Sequence, residues 1–259
     1  MDIIVLLKQV PATESMINVA PDGKRIQTDN LKWVMNPYDE FAVEEALQIK
    51  QKQGGSVTVL SAGSDRTVEA LRTALAMGAD NAVLINDPAA ENCDSLGIAK
   101  ILAAAIKTMP YDLIIAGMRA LDDDSGIVGG AVAGLLQIPH ISMVVKEEIK
   151  DRVIRCCATV EGGTVVTEAP LPVLFTTQRG LNEPRYASLP GIMKAKKKKI
   201  DTKKLADIGL DAAAVAPKSS IAAMKLPPAR KAGKMIAGDS AQAKAAELVK
   251  LLREEAKVI

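Results

Sequence analysis

The chain has 259 residues, of which 48% are apolar and only 2% aromatic, and its formal net charge is +2. The length suits one large domain, or one domain with an arm, and the core must be filled by Val, Ile, Leu and Ala with few rings. Near-neutral charge excludes a whole-chain polyanion binder, no apolar run is long enough to span a bilayer, and the three cysteines fit neither a metal motif nor a disulfide framework.

Continuous apolar runs at 3–7, 56–61, 82–85 and 113–116 predict buried parallel strands. Between them, apolar residues at helical spacing predict helices over 39–50, 67–77 and 95–106. This alternation predicts a doubly wound, mostly parallel α/β sheet of the Rossmann-like nucleotide-binding type. After Pro139 the rhythm changes: 141–145, 153–160, 164–168 and 173–177 read as strands of an antiparallel extension, with a tight hairpin at Gly162-Gly163. His140, the lone histidine, opens this region and is expected to ligate no metal. From Asp201 onward Pro217, Pro227 and Pro228 mark an extended arm, and a last amphipathic helix is predicted over 241–255, with Ala245, Leu248, Leu251 and Leu252 as its apolar stripe. The expected organisation is a body over 1–200 and a partner-wrapping arm with helix over 201–259; the arm folding back on its own body is the alternative.

Four segments carry chemistry. Leu6 ends the first strand and Lys8-Gln9-Val10-Pro11 follows it, where ligands of open α/β sheets sit. Asn36-Pro37-Tyr38-Asp39-Glu40 is a well-formed helix start. Ser61-Ala62-Gly63 is a small-residue turn that permits close approach to the backbone. Finally, Gly117 to Ala131 runs from a strand through a glycine-bearing turn into a helix, and Asp124 or Ser125 is expected to cap that helix. Backbone amides from Ser125 to Gly129 would then face an anion, whereas Asp122, Asp123 and Asp124 would repel a bare polyphosphate. The plainer alternative is a capped helix whose glycines allow close packing.

Residues 181–200 place an apolar tip, Leu189-Pro190-Gly191-Ile192-Met193, directly before Lys194 and the run Lys196 to Lys199. Two prolines and a glycine predict neither a regular helix nor a central strand over 183–191. An apolar knob beside concentrated positive charge suits docking onto an acidic partner. A solvated basic loop is the alternative reading.

Leu181 to Lys199 resembles the signature of the electron transfer flavoprotein β subunit, and the three segments at 36–46, 60–63 and 117–131 resemble that family in the same order. The resemblance implies that Tyr186, Leu189, Pro190, Ile192, Met193 and Lys194 recognise partner dehydrogenases, with Leu189 as anchor. It implies a cofactor-binding set of Leu6, Asn36, Pro37, Tyr38, Asp39, Ala62, Ala120, Asp122, Asp123, Asp124, Ser125, Gly126, Ile127, Val128, Gly129, Gly130 and Ala131. Tyr38 would be the ring able to approach the isoalloxazine of a flavin held by the partner α subunit. In the family the segment at 117–131 surrounds either a structural AMP or, in electron-bifurcating members, a second FAD. Bifurcating members carry Asp-Gly-Asp-Thr where this chain has Asp122-Asp123-Asp124-Ser125, and a different pattern where it reads Asn86 to Ser95, including Asn92; both departures favour AMP.

The implied function is an electron carrier with no catalytic residue of its own. It would pair with an α subunit holding the redox FAD, take electrons from an acyl-CoA dehydrogenase-type donor and pass them to a quinone-linked acceptor. A bifurcating complex using NADH is the rival. A nucleic-acid binder built on the lysines is disfavoured by the near-neutral charge and the absence of interleaved aromatics. A reduced, cytoplasmic protein without membrane insertion is expected.

Overall fold

The computed structural model describes residues 1–91, 93–230 and 232–259; Asn92 and Lys231 lie outside the described residues. In chain order the elements are β1 (Asp2–Leu6), β2 (Gln9–Pro11), β3 (Trp33–Met35), α1 (Pro37–Gln53), β4 (Ser56–Ala62), α2 (Val68–Met77), β5 (Asn81–Ile85), α3 (Pro88–Glu91) and α4 (Ser95–Ile106). They continue with β6 (Leu113–Gly117), α5 (Val128–Leu136), β7 (His140–Lys150), β8 (Val153–Val160), β9 (Gly163–Pro170), β10 (Val173–Thr177), α6 (Leu189–Lys197), β11 (Asp201–Lys203) and α7 (Ala241–Glu254). The main sheet runs β11-β5-β4-β1-β6-β10-β7-β8-β9, and β2 and β3 form a separate hairpin.

Two-residue periodicity in β1 builds both cores. Ile3 and Val5 face one side, packed with Ala42 and Val43 of α1 and Leu71 of α2. Ile4 and Leu6 face the other, packed with Ile101 of α4 and Val132 of α5. Because both faces are covered, residues 3–6 of the strand are all apolar, which makes it readable as a central parallel strand. The chain proceeds from β1 to β4 and β5 on one side, then crosses to β6 on the other. The switch point therefore lies at the carboxyl ends of β1 and β6, where an open sheet leaves a crevice.

Three regions depart from expectation. The region after Pro139 is not wholly antiparallel: β7, β8 and β9 pair antiparallel in sequence, but β10 returns to lie parallel between β6 and β7. All five residues of β10 are buried, so two-faced burial places it in the sheet interior. Second, Asp201–Lys203 adds a parallel edge strand beside β5, and Leu205, Ile208 and Val215 are buried in the α4 side core. Asp201–Lys203, Leu205, Ile208 and Val215 thus pack on the main sheet and its helices. Third, residues 189–191, expected to be irregular, open helix α6. Pro190 sits in the first turn, where its missing N–H breaks no bond, and Ser188 Oγ accepts from the Gly191 amide at 3.1 Å. The predicted last helix is present as α7, and none of its residues is buried. Among the described residues no helix is long and apolar enough to cross a membrane.

Where α1 meets the antiparallel extension, Glu45 and Glu147 are brought together. The Glu147 side chain is 4% exposed. Burial first, and then the hydrogen bond and charge of Glu45, push its carboxyl up to about 7, against the pull of Lys52. A carboxyl raised on folding contributes stability that is fully present below its unfolded value and lost as pH rises through about 7. The melting temperature is therefore expected to fall between pH 6 and pH 8, and Glu147→Gln to flatten that slope; thermal melts at both pH values check this.

Candidate functional site

Asp39, in the first turn of α1, is the knot of the switch point. Its Oδ2 accepts from the Lys8 amide at 2.7 Å, and its Oδ1 accepts from Asn36 Nδ2 at 3.0 Å and from the Gly117 amide at 3.1 Å. It thereby ties the carboxyl ends of β1 and β6 to the start of α1. Desolvation outweighs these donors and pushes the carboxyl up to about 7. Asn36, 1% exposed, extends the network: its Nδ2 also donates to the Arg119 carbonyl at 2.9 Å, and its Oδ1 accepts from the Leu121 amide at 3.2 Å. A Cβ at Gly117 would lie 2.3 Å from Asp39 Oδ1 and 2.8 Å from Tyr38 Cβ, so only glycine allows the turn to approach this closely.

Tyr38 is fixed from two sides. Thr177 Oγ1 donates to its carbonyl at 2.9 Å, while Arg119 donates to its hydroxyl at 3.3 Å and stands 5.5 Å from the ring centre. Arg119 also pairs with Asp124 at 3.0 Å, and its Nε is buried without a partner. Lys8 Nζ reaches Asp122 at 2.7 Å and Asp123 at 3.0 Å. The three aspartates are thus each drawn to a cation, which removes much of the repulsion expected against an anion.

The start of α5 differs from expectation. Neither Asp124 nor Ser125 caps it; Ile127 is the N-cap and no side chain bonds the first turn. Asp124 is taken by Arg119, and Ser125 Oγ lies 3.3 Å from Ser95 Oγ on α4. The first-turn amides are left without a side-chain acceptor, beside Gly126 at φ +61° and exposed Ile127. Gly129 has a packing role: a Cβ there would lie 2.8 Å from Thr176 Cγ2 on β10. Gly129→Leu is expected to push α5 off the sheet and cost about 1–3 kcal/mol, read as a lowered thermal midpoint.

Not every expected residue faces the crevice. Hydrogen bonds and ion pairs join Asn36, Tyr38 and Asp39 to Gly117, Arg119 and Leu121, and Lys8 and Arg119 hold Asp122, Asp123 and Asp124 beside them. Leu6 is buried in the α4–α5 core, so only its backbone lies at the strand end. Ala62 comes from β4, across β1, where Ser61 Oγ donates to the Leu7 carbonyl at 2.6 Å and the Gly63 amide to Ile85 at 3.0 Å. Lys8 and Arg119 lie inside segments marked in the sequence but carry no assigned role there, and Ser95 and Thr177 lie outside those segments. Lys8, Ser95 and Thr177 meet partners 114, 30 and 139 positions away, so local pattern does not reveal these contacts. A separate hollow of about 420 Å³ opens at the amino ends of β1, β4 and β5, between Asp2, Ser56, Asn81 and Lys199. That end of a parallel sheet presents no helix amino terminus to an anion.

The second candidate surface is α6. Tyr186 is 98% exposed, Leu189 80% and Met193 59%; Ile192, Pro190 and Lys194 are also exposed. Gly191 lets the helix seat on α2, since a Cβ there would meet the Ala76 carbonyl at 2.5 Å. Arg72 donates to the carbonyls of Ala195 and Lys198 at the helix end. Lys198 Nζ donates to Ala79 and Asp80 carbonyls at 2.7 and 3.0 Å, so this lysine of the run is a structural strut.

An open, doubly wound sheet with a glycine-bearing turn and an uncapped helix start at its switch point defines an α/β domain of the Rossmann-like class. A family model described as electron transfer flavoprotein domain matches residues 24–208. Similar proteins named electron transfer flavoprotein subunit beta occur in Bacillus subtilis (strain 168), 45% identical over 260 residues and all of both chains, and in Syntrophomonas wolfei, 40% identical over 99% of this chain and 97% of the relative. The Homo sapiens protein of that name is 37% identical over 89% of this chain and 91% of its own. The chain belongs to the electron transfer flavoprotein β-subunit family.

Proposed function

We propose that this chain is the β half of a heterodimeric electron carrier. It pairs with an α subunit that holds the redox FAD, receives electrons from an acyl-CoA dehydrogenase-type donor and serves a quinone-linked acceptor. The observation that carries the reading is the pairing of a braced switch-point crevice with an exposed apolar knob on α6. The flavin supplies the redox chemistry when bound. This chain's residues orient and recognise: Tyr38, held by Arg119 and Thr177, presents a ring at the crevice, and Leu189 and Met193 present an apolar contact to the donor. Residues of the arm after Val215, ending in α7 with no buried residue, are expected to pack on the α subunit. Three free cysteines accord with a reduced, cytoplasmic setting.

The crevice fits AMP on three counts. The first turn of α5 offers amides to one phosphate, Gly126 opens the backbone, and Arg119 Nε is a buried donor in want of an acceptor. Lys8 and Arg119 offset the aspartates, so a single phosphate meets little net repulsion. The test is to co-purify the heterodimer, denature it and identify what is released. One FAD and one AMP per pair are expected. Two flavins with reduction by NADH would assign the chain to the bifurcating class and overturn the reading.

A further inference from the structure

The segment from Gln178 to Ser188, which leads into α6, contains no regular helix or strand. Backbone pairing cannot fix its path, and an irregular connection of this length is costly to order without other bonds. Asn182 and Arg185 supply them, both to α1. Arg185 grips Glu44 bidentately, Nε to Oε2 at 2.7 Å and an Nη2 to Oε1 at 2.9 Å, and its own amide donates to Oε2 at 3.2 Å. Asn182 Nδ2 donates to Glu45 Oε2 at 2.7 Å and to the Phe41 carbonyl at 3.0 Å. The Glu44 side chain is 5% exposed. Tyr186 and Leu189 follow within four residues of Arg185, and both project into solvent. The clamp therefore sits immediately before the knob, where an angular error becomes displacement of the knob.

The same helix carries the crevice. Tyr38 and Asp39 lie in its first turn, and Glu44 follows Tyr38 by six residues, about 9 Å along the axis. Building on the docking role argued above, we propose that the Arg185–Glu44 fork and the Asn182–Glu45 bond are positioning contacts for electron transfer. They set the docking helix at a fixed place relative to the flavin-facing turn, using α1 as a common strut. Arg suits the task because its planar fork fixes direction as well as distance, which a lysine at the same place cannot do.

The test uses the purified heterodimer as the varied substrate of its donor dehydrogenase. Arg185→Ala and Glu44→Ala are each expected to raise the KM for the flavoprotein roughly tenfold, the equivalent of a lost charged hydrogen bond, with kcat little changed. Arg185→Lys should fall between Arg185→Ala and wild type. Because the two residues act through one contact, the double variant is expected to match either single variant, a non-additive cycle. A merely structural contact would lower the thermal midpoint and leave KM alone, and additive effects on KM would mean that the two residues act separately; either result overturns the clamp. Leu189→Ala run in parallel separates the two ideas. If it raises KM and the Arg185 variants do not, the clamp falls and the docking role stands; if none of them moves KM, the docking role falls and takes the clamp with it.

Discussion

Asp39→Asn is expected to be the most damaging conservative substitution in the crevice. The carboxyl group accepts three N–H donors on its two oxygens, from Lys8, Asn36 and Gly117. An asparagine has one acceptor oxygen and must turn its NH2 toward a donor on the other side. In either orientation a buried N–H is left facing an N–H, at a cost of about 1–3 kcal/mol for each group left unsatisfied. For a chain of this size each kcal/mol shifts the thermal midpoint by roughly 2–4 °C. The loss reaches the crevice as well, since Asp39 joins β1, β6 and α1, so nucleotide content of the purified heterodimer is expected to fall. The pH dependence has a definite sign. Burial raises the folded carboxyl from 3.8 to about 7, so its contribution is fully present below the unfolded value and is lost as pH rises through 7. The deficit of the asparagine variant, which has no such titration, should narrow between pH 6 and pH 8. Thermal midpoints of both proteins at the two pH values decide it; a variant as stable as the wild type would mean that Asp39 does not hold the strand ends together.

Leu189→Ala has the opposite profile. The side chain is 80% exposed and makes no part of either core, so folding, flavin and nucleotide content should be untouched. Burying a leucine against a partner is worth about 1.5–3 kcal/mol, and truncating a central anchor commonly costs that much or more. Electron transfer from the donor dehydrogenase is therefore expected to weaken by roughly ten- to a hundredfold in kcat/KM. Steady-state reduction of the heterodimer measures it, and an unchanged rate would remove α6 from the docking surface. The lysines act differently: Lys194 is exposed and suited to steering encounter, whereas Lys198 is spent on two backbone carbonyls.

Much of this arrangement is legible in local pattern. The runs at 3–7, 82–85 and 113–116 mark central strands because burial on both faces leaves them apolar, and 56–61 does so through Val57, Val59 and Leu60 despite its Ser and Thr positions. The helix starts at Pro37 and Ser95 follow from fixed chain chemistry, a proline near the first turn and an aspartate cap, Asp94, bonding the Gly97 amide at 2.9 Å. Residues 189–191 depart from the sequence expectation for a physical reason: Pro190 and Gly191 oppose a helix interior, but they are tolerated in a first turn capped by Ser188. The cap expected on α5 does not form because the helix starts at Val128, which puts Ile127 in the cap position, and Asp124 pairs instead with Arg119.

By itself, the sequence determined the central parallel strands and the helices between them, that the sheet would be doubly wound, and that Leu189 and its neighbours form an apolar stretch beside positive charge. These properties depend on periodicity and on residues close in the chain. Only the tertiary structure decided that β10 lies between β6 and β7, and that Lys8 meets aspartates 114 and 115 positions away. It alone decided that Asp39 joins two strand ends and that Glu44 holds Arg185 from 141 positions off. Those choices rest on strand order and on the low-dielectric interior, where a buried carboxylate must find its donors wherever the folded chain has placed them.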